Sequence, residues 1–168
     1  MCNFMAKLWG KVKTNLPVYA VAIAIPMAVG ILSALLTKDS MGVYGELNSP
    51  PLSPPAPVFP IVWSILFLLM GISSGMVYVR RERNMDSTKK ALGFYAVSLV
   101  INFSWSIIFF NLQAAFLAFL VLLALIYFII RTILEYRKVY PIASYLQIPY
   151  LIWVIFAGYL NGGIWLLN

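Results

Sequence analysis

Histidine is absent from this 168-residue chain, and cysteine occurs once, at Cys2. An intrachain disulfide is therefore impossible. The same inventory excludes His/Cys metal sites and nucleophilic catalysis by a Ser–His or Cys–His pair. Charge is scarce too: 10% of residues are Asp, Glu, Lys or Arg against 62% hydrophobic, with a mean hydropathy of +0.91. A soluble domain carries about a quarter charged residues. Too few polar side chains remain to cover a water-facing surface, so the composition predicts a membrane protein of one domain.

The apolar residues are gathered into runs. No charged residue lies between Lys13 and Lys38, between Glu46 and Arg80, between Lys90 and Arg131, or after Lys138. Crossing a bilayer core takes about 20 apolar residues. The first run predicts a span near 16–36, whose length and lack of a clear cleavage site argue against a removable signal peptide. The second predicts a span at about 58–79. The 40 uncharged residues between Lys90 and Arg131 make about 60 Å of helix. That is enough for two spans, 91–110 and 114–134, with Asn-Leu-Gln at 111–113 as the turn. A fifth span is expected near 142–165. Backbone in lipid must pair its own polar groups, so each span is expected to be helical. The fold expected over 1–168 is all-α, a five-helix transmembrane bundle.

Five crossings put the termini on opposite sides. On the N-terminal side lie Lys7, Lys11, Lys13, Arg80, Arg81, Arg83, Lys89, Lys90, Arg131, Arg137 and Lys138, and on the other side only Lys38. Positive-inside asymmetry then predicts a cytoplasmic N-terminus and an outer C-terminus, as in a bacterial inner membrane. The net charge of +7 reads as topology determinants that also meet anionic lipid, not as a nucleic-acid surface. No Asp, Glu or Lys falls inside a predicted span, and Arg131 is near enough to an end to snorkel. Asp39, Glu46, Glu82, Asp86 and Glu135 are expected at or beyond span edges. Ion-coupled pumping and carboxylate acid–base catalysis both lack their usual groups.

What is present is aromatic and uncharged polar. Asn102, Trp105, Ser106 and Phe109 share one helical face, as do Trp63, Phe67 and Met70, and again Tyr150, Trp153 and Ala157. Such stripes serve packing and interfacial belts, yet three together suggest one apolar pocket with a few placed polar groups. Residues 48–63, NSPPLSPPAPVFPIVW, hold six of the ten prolines. Proline lacks a backbone donor and fixes φ. A stiff lid over a cavity opening toward this loop is the expected use of the run. Gly71-Ile-Ser-Ser-Gly75 and Gly158-Tyr-Leu-Asn-Gly162 are GxxxG patterns, suited either to contacts within the chain or to a dimer face. Leu134-Glu135-Tyr136-Arg137-Lys138 satisfies the loose cholesterol pattern.

These motifs together resemble the translocator protein / tryptophan-rich sensory protein family. The resemblance covers nearly the whole chain. It rests on Pro26 and Gly30, on Tyr44 through Leu47 with Pro50 and Pro54-Pro55, and on VFPIVWSILFLLMG (58–71), NFSWSIIFF (102–110) and PYLIWVIFAGYLN (149–161). It implies a homodimeric five-helix membrane protein whose proline-rich first loop caps an apolar pocket. Such proteins bind porphyrins and other tetrapyrroles, cholesterol in animals, and synthetic isoquinoline or benzodiazepine ligands. Carried over, the pocket comprises Tyr44, Trp63, Phe67, Asn102, Trp105, Trp153 and Ala157, with Asn102 as polar anchor and the rings stacking on a flat ligand. The implied ligand is protoporphyrin IX, and no cofactor is required.

Three departures stand out. Leu52 occupies the usual place of a loop tryptophan, and Val43-Tyr44 that of a Trp-Tyr pair. Phe67 replaces a tyrosine of the second helix. The fifth-helix cholesterol motif asks for a tyrosine followed by a basic residue, but Gly162 stands there and nothing basic follows. The leading expectation is a binding or sensory protein for a hydrophobic planar ligand. The alternatives are a light-dependent porphyrin-degrading catalyst using Trp63, Trp105 and Trp153, and a passive transporter of tetrapyrroles or lipids.

Overall fold

The computed structural model describes residues 2–40, 42, 45, 47–82 and 84–168, with side chains from Asn15 onward. Every regular element among them is helical: α1 (Cys2–Thr37), α2 (Val58–Tyr78), α3 (Met85–Ser106), α4 (Ala115–Val139), α5 (Pro141–Tyr145) and α6 (Ile148–Leu167). Five stretches are long and apolar enough to cross a membrane: Asn15–Thr37, Val58–Tyr78, Met85–Asn111, Ala115–Val139 and Pro141–Leu167. The chain is an integral membrane protein.

The helix ends differ from the charge boundaries for local reasons. α3 starts before residue 91 because Asn84 caps it, its side chain accepting from the Ser87 N–H at 3.0 Å. It ends in a π-helical turn, Ile107–Asn111, closed by Leu112 N–H donating to the Ile107 carbonyl at 3.1 Å. α4 runs five residues past the expected 134 and carries Glu135 within it, buried, one turn from its end. The last crossing is broken at Leu146–Gln147. Pro149 cannot donate to the Tyr145 carbonyl, so an unbroken helix would leave that acceptor unpaired. The Gln147 amide instead donates to Ser73 Oγ at 2.6 Å, tying the break to α2.

The helices form a ring. α1 packs along α2, α3 along α4 and α4 along α6, while lighter contacts of α1 with α3 and of α2 with α6 close it. Glycine sets the closest approach. A Cβ on Gly71 would lie 2.5 Å from Ile23 Cα and 2.9 Å from the Ala22 carbonyl oxygen. That carbonyl is the one Pro26, inside α1, cannot serve with a donor. Gly75 lies against Tyr19 and Gly162 against Phe119. The first GxxxG motif is thus a contact within the chain, and Gly162 of the second is as well.

The proline loop docks on the end of α6. Pro50 is buried against Gly163, the Tyr159 hydroxyl donates to the Pro51 carbonyl at 2.8 Å, and the Asn168 side chain bonds both the N–H and the carbonyl of Asn48 at 3.0 Å. Ser53 N–H closes a turn on the Pro50 carbonyl at 3.3 Å. Pro51 and Leu52 occupy its centre, with Leu52 at φ 69°. Proline then a positive φ is the type II pattern, a place that favours glycine over leucine.

Candidate functional site

Between α1, α2, α3 and α6, on the proline-loop side, lies an apolar cavity of about 260 Å³. α2 contributes Phe59, Pro60, Trp63, Ser64 and Phe67, which recur on one face because they stand three and four apart. α3 contributes Asn102, Trp105 and Ser106 by the same spacing. The π turn adds Phe109 and Phe110, four residues on from Trp105 and Ser106. Gly30 on α1 makes room for Phe67, since a Cβ there would fall on the edge of that ring. α6 supplies Ala157, Leu160, Asn161 and Ile164, and the loop supplies Ala56.

The rings are ordered. Trp63 stacks on Phe67 (5.5 Å between centroids, 29° between planes) and Trp105 on Phe109 (5.8 Å, 20°). The two tryptophans are 6.2 Å apart at 32°. Below them the Tyr150 ring meets Trp63 edge-on, and the Tyr150 hydroxyl approaches the Asn102 side chain. Asn102 is 3% exposed, and its Nδ2 has no hydrogen-bond partner among the described residues. Asn161 is fully engaged: its Oδ1 accepts from Trp105 Nε1 at 3.2 Å and its Nδ2 donates to the Ala115 carbonyl at 2.8 Å. A site so built can enclose a flat apolar body between aromatic faces and offer it one amide donor.

Of the residues expected from the sequence, Trp63, Phe67, Asn102, Trp105 and Ala157 come together on this cavity. Trp153 does not line it. Its ring packs edge-on against Phe59 (5.9 Å) and beside Phe156 (5.6 Å), so Phe59 takes the lining place. Tyr44 lies outside the described residues. Leu52 is 83% exposed and turned away from the cavity, so this loop position offers no stacking surface. In the sequence Gly30 stands out only through the first-helix resemblance, and Asn161 and Phe110 only inside motifs; none of the three was expected as a pocket residue. For Asn161 and Phe110 the signal was there: they stand four residues after Ala157 and Ser106, on the same faces.

Comparison with known proteins follows the same outline. The model of the TspO/MBR family matches residues 22–166. A tryptophan-rich protein TspO of Chlorobaculum tepidum is 35% identical over 154 residues, covering 89% of this chain and 94% of that protein. Protein CrtK of Rhodobacter capsulatus is 32% identical, covering 92% and 94%. The translocator protein of Bos taurus is 31% identical, covering 84% of each.

Proposed function

The chain belongs to the TspO/MBR family, and on that premise we propose that it is a binding or sensory protein for a hydrophobic planar ligand of the tetrapyrrole class. The observation that carries this reading is the pairing of two stacked aromatic couples with a buried amide donor, Asn102 Nδ2, that no described residue satisfies. A planar macrocycle gains apolar burial and ring contact from Trp63, Phe67, Trp105 and Phe109. A polar edge group on it would take the Asn102 donor, whose burial without a partner otherwise costs about 1–3 kcal/mol. The proposal includes a homodimer and a bacterial inner membrane with the N-terminus cytoplasmic, the latter on the asymmetry of basic residues.

The test is a dark titration of the purified protein with protoporphyrin IX, followed by tryptophan quenching. Saturable quenching is expected, weakened about two- to tenfold by Asn102→Ala, the worth of one hydrogen bond, and weakened also by Trp105→Phe. Quenching that never saturates, or ignores both substitutions, rejects a tetrapyrrole in this cavity. Trp63 and Trp105 standing side by side give the catalytic alternative its own readout. If illumination then bleaches the bound porphyrin in the wild type but not in Trp105→Phe, the protein is a photochemical catalyst.

A further inference from the structure

The segment Leu134–Lys138 fits a loose sterol pattern, but its Tyr136 is fully buried with its ring beside Tyr95, out of reach of a sterol in the bilayer. What the segment presents outward is positive charge. Glu135 has a side chain only 4% exposed, and its Oε1 accepts from Lys138 Nζ at 2.9 Å. Arg131 Nη2 from the same helix and Lys90 Nζ from α3 both stand 3.6 Å from that oxygen. Three cations thus surround one carboxylate, and two positive charges are left over.

We propose that this rim, Lys90, Arg131 and Lys138 built around Glu135, binds the phosphate of an anionic phospholipid. The donors are available: 3.6 Å is too long for a full hydrogen bond, and the Lys90 and Lys138 side chains are 56% and 59% exposed. Arg131 is also held in place. Arg131 Nη1 donates to the Tyr127 hydroxyl at 3.2 Å, and its guanidinium lies 4.6 Å over the Phe94 ring. The other charged neighbours along the two helices are Lys89, Arg137 and one acid, Asp86, so the surroundings remain positive. A lipid fits better than a free ion because the groove beside the rim includes Leu134, and α4 continues from there as an exposed apolar stripe through Ile130, Tyr127 and Leu123. The headgroup would bridge α3 and α4 while an acyl chain follows the stripe. The site lies apart from the aromatic cavity and does not depend on what that cavity binds.

Native mass spectrometry of the full chain in detergent, with phosphatidylglycerol or phosphatidylcholine added, tests the assignment. The wild type is expected to retain phosphatidylglycerol about thirtyfold better, from about 1 kcal/mol for each of the two uncompensated positive charges at a lipid surface. Lys90→Gln with Lys138→Gln should abolish the preference, while Lys90→Arg with Lys138→Arg should keep it. Arg81→Gln with Lys89→Gln removes the same charge on the same side outside the rim and should also keep it. Equal loss in the rim and control pairs, or no preference in the wild type, overturns the proposal. Release of the lipid by millimolar inorganic phosphate alone would mark a soluble-anion site and overturn the lipid assignment.

Discussion

At Asn161 one side chain joins three helices, accepting from Trp105 on α3 and donating to the Ala115 carbonyl at the start of α4. Asn102 faces the same cavity with its amide nitrogen unpaired among the described residues. The two asparagines should therefore separate when removed. Asn161→Leu strands the buried Trp105 indole N–H and should cost about 1–3 kcal/mol, seen as a lower melting midpoint in detergent. Asn102→Ala breaks no bond of its Nδ2 and should melt near the wild type while binding ligand less tightly. A stability loss equal to that of Asn161→Leu would make Asn102 a structural residue. The sequence showed Asn102 on an aromatic face and Asn161 only within a motif. It could not tell which was engaged, because the partners of Asn161 lie 56 and 46 residues away.

Between elements, α1 and α2 come closest backbone to backbone at Gly71. Gly71 sits where a Cβ would meet the backbone of Ile23, which cannot yield as a side-chain tip can. Gly71→Ala should splay the pair at a cost of about 1–3 kcal/mol, as overpacking does. It should also loosen the cavity one turn away, where Phe67 fills the space that Gly30 leaves. Thermal melts read the first effect and porphyrin titration the second; an unchanged melt would mean the helices meet elsewhere. The GxxxG pattern was visible, but spacing alone does not say whether the second helix belongs to the same chain. The π turn at Ile107–Asn111 was not visible at all. It depends on how α3 must end to let the Asn111 side chain donate to the Leu36 carbonyl of α1 at 3.0 Å.

For the whole molecule, the odd number of crossings makes a topological statement that the lone cysteine can test. In intact cells a membrane-impermeant maleimide should leave Cys2 unlabelled. In a Cys2→Ser background, it should label a cysteine appended after Asn168. The reverse pattern would reject the N-inside orientation proposed from the basic residues.

The sequence by itself determined the class, the five crossings and the faces that carry the aromatics. These follow from local quantities: the length of an uncharged run, the 3.6-residue period and the cost of unpaired backbone in lipid. Tertiary structure alone decided that Phe59, not Trp153, lines the cavity, that Leu52 points away from it, and that Glu135 is buried within α4 beneath three cations. Each of those depends on the rotation and depth of one helix against another. Packing between residues far apart in the chain sets both, so no window of sequence contains them.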